Sequence, residues 1–467
     1  MSVLLGIPLL AVLGLWLLPK RWASAAWLWA LLGSLAACLS ALRLLAAPLP
    51  TVERYNWIPS IGAQLSFALD GVSLLFAILT GLIFFLAILS SPGKSKSFYA
   101  LLLLMESASM GVFLTRDLLL FFICFEAVLI PMYFVIGVWG GAQRQKAAVQ
   151  FVIYTALGSV GLLLGILTLY LNAGAKTFEM AALQQAPLSA GVAQFAFWAM
   201  LLGFAIKVPM FPLHSWLGDA HTEAPTAGSV ILAAIMLKLG SYGIFRVLLP
   251  LAGGVDPFSI KVLMGLSVVA ILYGAFVSLA QQDAKRLIAY SSVSHLGFCT
   301  LGLFSLNDIA VSGSLLQQIN HGISTSLLFF LIGFLYERRG TRDLEQFGGL
   351  AKPMPRMSVV FGMAILGSAG LPLLNGFVGE FTILRGTYLS GPYFAYAGVA
   401  GIIVAAAYLL VLFQKTMLGP LHLEENKKLP DLTPREWAIV LPLLAWSVWI
   451  GVSPGGHFRL IEGSLRP

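Results

Sequence analysis

Long apolar segments bounded by charged residues, proline or glycine recur along the whole chain. A helix needs about 20 mostly apolar residues to cross the hydrocarbon core of a bilayer. The pattern therefore predicts an all-α polytopic membrane protein with about fourteen transmembrane helices. The predicted spans lie near residues 2–18, 23–46, 70–91, 98–114, 117–138, 149–171, 191–216, 227–249, 258–280, 286–306, 309–335, 357–386, 391–416 and 435–453.

The composition agrees with a lipid environment. Hydrophobic residues make up 59% of the 467 positions, charged residues only 10%, and the mean hydropathy is +0.90. A soluble domain carries about 25% charged residues, so this chain lacks the charge to cover a hydrated surface. The longest polar stretches, 337–356 and 418–435, have the size of loops. We therefore expect no nucleotide-binding domain, haem or iron–sulfur cluster in this chain, and no nucleic-acid partner.

Lysine and arginine are unevenly divided between the two sides of the predicted topology. If the first loop and every second loop after it face the cytoplasm, that side holds seventeen of the 28 basic residues and the other side nine. Basic residues concentrate in cytoplasmic loops, so the distribution predicts that both termini lie outside. We expect the chain in a bacterial inner (plasma) membrane. The first segment lacks the basic start and small-residue cleavage site of a signal peptide, so we expect a retained helix.

Several ionisable residues lie inside predicted spans. Each costs about 2.5–3.5 kcal/mol on insertion scales, so a chain retains it where it pairs, faces water or functions. Glu126 lies mid-span, five residues before Pro131, and Lys238 lies well inside its own span. Proton transfer is the favoured role for both, with a structural hydrogen bond or ion pair as the alternative. Glu106, one span before Glu126, fits a helper carboxylate and an interhelical hydrogen bond equally well.

Two predicted spans contain helix-breaking residues together with an ionisable side chain. Pro209 and Pro212 follow Lys207 in the seventh span, and glycines and a proline over 367–379 precede Glu380 in the twelfth. Broken helices at membrane depth are tolerated where protein or a water-filled cavity satisfies the freed backbone. Such a pair points to an inverted-repeat transporter site near the midplane. A snorkelling Lys207, or a Glu380 that faces water at a helix end, is the alternative.

Histidines add candidate proton carriers. His295 and His321 lie inside predicted spans, and neutral imidazole can exchange protons near neutral pH. His214 and His221 lie in a polar stretch after Lys207, where the spacing matches no zinc motif. Proton uptake or helix capping is the expected role of this second pair, whereas a structural hydrogen bond is the alternative for the first. The three cysteines lie in apolar runs without close pairing, so we expect no metal site.

Four stretches of this chain are distinctive: LLLFFICFEAVLIPMYFVIGVWGG, AIKVPMFPLHSWLGDAHTEAPTAGSVILAAIMLKLGSYGIFR, DAKRLIAYSSVSHLGF and GLPLLNGFVGEF. With them, the chain resembles the antiporter-like subunits of respiratory complex I over about residues 65–440. The resemblance is closest to the M branch, which is related to mitochondrial subunit four. Glu380 lies where chains L and N and the cation/proton antiporter relatives usually carry lysine. The chain also ends soon after its last span, without the long lateral helix typical of chain L.

The resemblance implies two inverted five-helix repeats, with broken helices 7 and 12, and an ion pair between Glu126 and Lys207. Our hypothesis is that protons enter from the cytoplasm near the broken seventh span and pass to Lys207 and Lys238. They then move through His295 or His321 and leave by way of Glu380, driven by electron transfer in partner subunits. Chains L and N and the bilayer are the implied partners. Flavin and iron–sulfur clusters would lie in other subunits, and quinone elsewhere in the complex. The implied segments are 1–97 (helices 1–3), 98–250 (helices 4–8), 251–416 (helices 9–13) and 417–467 (helix 14).

Two other functions fit the same residues. The chain could serve in a membrane-bound hydrogenase or a multisubunit sodium/proton antiporter, which neighbouring subunits or sodium dependence would reveal. It could also be a scaffold whose polar residues only hold helices together. In that case, neutral replacements of Glu126 or Lys207 would leave pumping by the assembled complex unchanged.

Overall fold

The computed structural model of the protein describes residues 1–19 and 25–465. Lys20, Arg21 and Arg466, which contribute to the predicted charge distribution, lie outside the described residues. Contacts group the chain into two compact units. The first unit comprises Met1–Pro209, Ile235–Val262 and Gly463–Pro467, and the second comprises Met210–Ala234 and Leu263–Glu462.

Among the described residues up to Lys207, the chain forms nine α-helices and one β-hairpin. Their bounds are α1 (Ser2–Leu17), α2 (Ala26–Arg43), β1 (Thr51–Ile58), β2 (Ala63–Leu69), α3 (Gly71–Leu89), α4 (Lys96–Leu114), α5 (Leu118–Ala127), α6 (Leu129–Trp139), α7 (Arg144–Asn172), α8 (Met180–Gln184) and α9 (Ala190–Lys207).

Helices also dominate the remainder of the chain. Their bounds are α10 (Ser215–Glu223), α11 (Thr226–Ile231), α12 (Leu237–Gly243), α13 (Pro257–Leu279), α14 (Ala284–Phe304), α15 (Asp308–Arg339), α16 (Pro355–Ser368), α17 (Asn375–Ser390), α18 (Pro392–Met417), α19 (Glu424–Lys427), α20 (Pro434–Val452) and α21 (Gly455–Leu465).

The membrane class of the fold is confirmed, whereas the number of spans is not. In the part of the chain that the structure describes, twelve helices or helical runs are long and apolar enough to cross a membrane. The shorter α1 and the divided twelfth span, α16 and α17, fall outside that set. The count of fourteen, the inverted relation of the repeats and the four segment boundaries therefore stay predictions.

The hairpin of β1 and β2 is an addition to the predicted all-α fold. The strands pair antiparallel from Thr51 opposite Leu69, and Gly62 turns the chain with a φ of +71°. A left-handed φ is readily adopted by glycine. Most of β1 is exposed, and a search for long apolar runs passes over such a short, mixed segment.

The fifth and eighth predicted spans are less regular than expected. Pro131 has no N–H to bond the carbonyl of Ala127 four residues earlier, and α5 ends at Ala127 before α6 begins at Leu129. In the eighth span, π-helical segments Leu232–Met236 and Ile244–Leu248 flank α12. Such segments are rare and frequently occur at functional sites.

Candidate proton-transfer site

Lys207 ends α9, and the helix is broken immediately after it. Pro209 and Pro212 cannot donate backbone hydrogen bonds, and the chain becomes helical again only at Ser215. The broken seventh span is therefore confirmed. Lys207 is 2% exposed, and its Nζ lies 4.8 Å from the ring centroid of Phe125 on α5. A cation over a desolvated ring is worth about 2 kcal/mol.

Glu126 and Lys207 do not form the direct ion pair that the resemblance implies. Of the residues that the structure describes, none places a carboxylate oxygen within 4.0 Å of Lys207 Nζ. Instead, the ammonium lies over Phe125, and half-buried Glu126 accepts a hydrogen bond of 2.5 Å from Ser159 Oγ on α7. The two charges still interact electrostatically. Ser159 was missed because a lone serine in a helix carries no distinctive pattern.

Lys238 lies fully buried in α12, in the same unit as Lys207. Glycines bring α12 against α9. A Cβ on Gly240 would lie 2.9 Å from the carbonyl oxygen of Phe204, and one on Gly243 would lie 2.3 Å from the Phe204 ring. Close backbone approach through small residues is typical of membrane helix packing. The helices that carry the two lysines are therefore packed directly on each other.

A second charge cluster of the first unit is fully paired. Asp70, just before α3, bonds Arg116 at 2.9 Å and Arg246 at 2.5 Å. Tyr242 Oη accepts from both arginines and donates to the carbonyl of Phe113. Burial alone would raise the pKa of the Asp70 carboxyl, but Arg246 and Arg116 lower it to about 2. The cluster, which sequence analysis did not predict, ties the end of α12 to α3 and α4.

Glu106 lies on α4 with no exposed surface. Ser34 on α2 donates to its Oε1 at 3.0 Å, whereas Oε2 has no hydrogen-bond partner among the described residues. The interhelical hydrogen bond is thus present. A role as a helper carboxylate stays a prediction.

In the second unit, the twelfth span breaks between α16 and α17, as predicted. Gly370 and Leu373 adopt positive φ values of 80° and 75° in the break. Glu380 follows on α17 and is 2% exposed. Its Oε1 lies 2.8 Å from His295 Nδ1 on α14 and accepts a hydrogen bond of 3.0 Å from Gln317 Nε2 on α15. The structure therefore places two of the predicted residues, Glu380 and His295, in direct contact.

Two hydroxyls lie on the other side of the His295 ring. Tyr408 Oη on α18 is 3.1 Å from His295 Nε2, and Ser368 Oγ at the end of α16 is 3.4 Å from the same nitrogen. The ring of His321 lies 5.9 Å from that of His295. Side chains from five helices thus meet around one imidazole.

Amide side chains hold the break of the twelfth span to α15. Asn320 Nδ2 donates to the carbonyl of Asn375 at 2.7 Å, and Asn375 Nδ2 donates back to the carbonyl of Asn320 at 3.1 Å. Ser324 and Ser447 both donate to Asn375 Oδ1. Sequence analysis missed this network, although amides inside otherwise apolar spans are a signal that could have revealed it.

His214 and His221 lie before and within α10, also in the second unit. The His214 ring packs 5.0 Å from Tyr273, and the His221 ring stacks at 5.1 Å on Phe329. Among the residues with described positions, no group of three or more His, Cys, Asp or Glu could hold a metal ion. Proton uptake at these histidines stays a prediction.

Broken helices that carry buried ionisable residues define this chain as an antiporter-like membrane protein. Residues 115–405 match the family described as NADH:quinone oxidoreductase/Mrp antiporter, transmembrane, and the chain belongs to that family. It is 42% identical over 422 residues to NADH-quinone oxidoreductase subunit M of Rickettsia conorii, which covers 89% of this chain and 85% of the relative. It is 40% identical to NAD(P)H-quinone oxidoreductase chain 4 1 of a Synechococcus species, over 97% of this chain and 90% of that protein.

Solved structures agree with the family assignment. A chain of respiratory complex I from Thermus thermophilus with bound NADH aligns with a TM-score of 0.92 and 34% identity, over 100% of this chain and 99% of that chain. A chain of the Mrp complex from a Dietzia species aligns with a TM-score of 0.85 and 21% identity, over 99% and 97%. The second similarity shows the fold alone. The predicted resemblance to antiporter-like subunits is confirmed.

Proposed function

We propose that this chain is a proton-translocating membrane subunit of an NADH-quinone oxidoreductase, respiratory complex I. The observation that carries the proposal is the buried contact of 2.8 Å between Glu380 and His295 beside a broken helix. A carboxylate and an imidazole at that distance can exchange a proton directly. The names of the relatives and the 34% identity to a complex I chain over its full length support the same function.

In this proposal the chain is part of a translocase but performs no redox chemistry. Electron transfer through flavin and iron–sulfur clusters in partner subunits drives the protons, and quinone binds elsewhere in the complex. Glu380 supports assignment to the M branch, with chains L and N as membrane neighbours. The excess of basic residues in alternate loops supports a bacterial plasma membrane location with both termini outside.

Each unit contributes a different part of the proton path. Lys207 and Lys238 carry protons in the first unit. The proton affinity of Lys207 depends on its distance from the Glu126 carboxylate, because an opposite charge acts strongly at short range in a medium of low dielectric constant. Glu380 and His295 pass protons in the second unit, with His321, His214 and His221 as further carriers. Glu106 is the helper carboxylate of the first unit.

The test is purification of the intact complex through an affinity tag on this chain. After reconstitution into vesicles, NADH and quinone should drive proton pumping that does not require sodium. Sodium-dependent pumping, or purification with hydrogenase subunits in place of an NADH-oxidising module, would favour the antiporter or hydrogenase alternative.

The scaffold alternative is tested in the same vesicles. Glu126→Gln should reduce pumping while the complex stays assembled, because the residue acts through its charge. Lys207→Met is tested in the same way in a separate complex. If both variant complexes assemble and pump normally, these residues only hold helices together.

A further inference from the structure

We infer that Tyr408 is a positioning residue for proton transfer between His295 and Glu380. Its hydroxyl holds His295 in the tautomer that carries its proton on Nδ1, and the same hydroxyl reverses its hydrogen bond when a proton is loaded. The inference rests on the proposed function, since it names a determinant of the same relay.

The tautomer follows from the partners on the two sides of the ring. An ionised carboxylate can only accept hydrogen bonds, so the contact of 2.8 Å between Glu380 Oε1 and His295 Nδ1 requires a proton on Nδ1. The lone pair of a neutral ring is then on Nε2, which needs a donor. Tyr408 Oη, at 3.1 Å, is closer than Ser368 Oγ at 3.4 Å. The phenol is therefore the nearer donor to Nε2. Its oxygen also has a hydrogen bond with Ser291, and it can accept that bond while its own O–H is donated to the ring.

Burial makes this assignment of roles specific. Tyr408 has no exposed surface, and a buried tyrosine hydroxyl ordinarily requires a partner. Gln317 donates to the same Oε1 of Glu380 that faces His295, so this oxygen is an acceptor and Nδ1 is the donor to it. Three helices, α15, α17 and α18, thus fix which nitrogen faces the carboxylate.

The loading step conserves one proton. Hydronium from the entry path gives a proton to Nε2, where a new N–H bond forms, and leaves a water molecule. The Nδ1–H bond breaks at the same time, and its proton forms an O–H bond on Glu380. The ring stays neutral after the step and now carries its proton on Nε2. Tyr408 Oη rotates from donor to acceptor, and Glu380 donates to the Nδ1 lone pair. After Glu380 releases its proton, Nε2 gives its proton to water and Nδ1 takes a proton from water, which restores the first tautomer. The Tyr408 hydroxyl then rotates back to donate to Nε2.

Other titratable groups face this ring as well. Glu380 approaches from α17, Tyr408 from α18 and His321 from α15, whereas α16 contributes the neutral Ser368. A change in the pH dependence of pumping therefore has to be compared with that of a tyrosine variant away from the ring.

The test compares Tyr408→Phe with Tyr99→Phe in the intact complex. Tyr99 is also fully buried, but its hydroxyl donates to the carbonyl of Ser91, away from the relay. In vesicles, Tyr408→Phe should pump about tenfold fewer protons per NADH oxidised, the lower end of the loss that follows removal of the outer hydrogen-bond partner of a metal-bound histidine. Its pH profile of pumping should also shift. Tyr99→Phe should show neither effect, and equal behaviour of the two variants would overturn the inference.

A second variant tests the inference if Tyr408→Phe prevents assembly of the complex. Incorporation of 3-fluorotyrosine at position 408 keeps the ring and hydroxyl but makes the hydroxyl a more acidic donor, so the pH profile should shift; an unchanged profile would overturn the inference. Glu380→Gln separates the two hypotheses. If Glu380→Gln loses pumping while both Tyr408 variants behave as wild type, only the inference fails. Normal pumping by Glu380→Gln would overturn the proposed function as well.

Discussion

The two broken helices hold their ionisable residues in opposite ways. Lys207, before the proline break, faces an aromatic ring and has no carboxylate oxygen within 4.0 Å among the described residues. Glu380, after the glycine break, contacts His295 and Gln317 directly. The proton affinity of a charged group with few polar partners depends strongly on the position of neighbouring charges. A charge in a hydrogen-bond network has a defined partner for its proton.

Magnitudes support this distinction. Burying an ion costs several kcal/mol even after relaxation, and one cation–π contact returns about 2 kcal/mol. Hydrogen bonds to a charged group contribute about 1.5–3 kcal/mol each, so two of them compensate Glu380 better. We therefore expect the first region to respond to the movement of nearby charges, and the second to give direction to the transfer.

Removal of the weakly compensated charge is expected to have the largest effect. Lys207→Met keeps the length of the side chain and removes the ammonium, so pumping should be almost abolished while NADH-driven electron transfer is also impaired. The complex should still assemble, because few polar contacts are lost. Pumping by reconstituted vesicles and native gel electrophoresis measure the two outcomes. Lys261→Met changes an exposed lysine of the same unit and should pump normally.

The paired cluster at Asp70 sharpens the comparison, because its charges are half-buried and each has an opposite charge as a partner. Asp70→Asn leaves Arg116 and Arg246 without their carboxylate and should lower the free energy of unfolding by about 3 kcal/mol, the lower end of the cost for a buried pair, because these side chains are partly exposed. Pumping at low temperature should change little. Thermal unfolding of the detergent-solubilised complex measures this loss, and Asp308→Asn, at an exposed helix start, is the control. If Asp70→Asn loses pumping but not stability, then the presence of paired charges does not distinguish residues with a structural role from residues that transport protons.

The Asp70 cluster also has a defined pH dependence. The pKa of its carboxyl is held at about 2, below the ordinary value of about 3.9. A depressed pKa stabilises the folded state at pH values above the unfolded pKa. This contribution should therefore be present above about pH 4 and be lost as the pH falls towards 2. The difference in melting temperature between wild type and Asp70→Asn should narrow in that window.

Neutralising Glu380 tests the networked side of the comparison. Glu380→Gln retains a polar group beside His295 and Gln317 but cannot store a proton, so pumping should fall by about tenfold or more. Assembly should be unaffected, since the amide can still accept from Gln317. The control is Glu462→Gln, an exposed glutamate of the second unit. A loss as small as that of the control would assign Glu380 a structural role.

Local backbone effects explain what could be predicted from the sequence. Pro209 and Pro212 interrupt a helix wherever it lies, and the break after Lys207 followed from them. The contact between His295 and Tyr408 joins residues 113 positions apart, and no pattern in one chain specifies it. The expected ion pair of Lys207 with Glu126 does not form, because the position of an ammonium among nearby side chains depends on packing rather than on residue type.

The smallest predicted effect concerns the serine that holds Glu126. Ser159→Ala removes a hydrogen bond of 2.5 Å to a carboxylate, worth about 1.5–3 kcal/mol, and frees the carboxylate to approach Lys207. Attraction to the lysine offsets most of this loss, so pumping should change by only about threefold, or roughly 0.7 kcal/mol. Thr155→Ala removes another buried hydroxyl of α7, which bonds only backbone carbonyls, and should have no effect. Equal results for the two variants would mean that Ser159 does not control Glu126, and that movement of Glu126 needs a trigger outside α7.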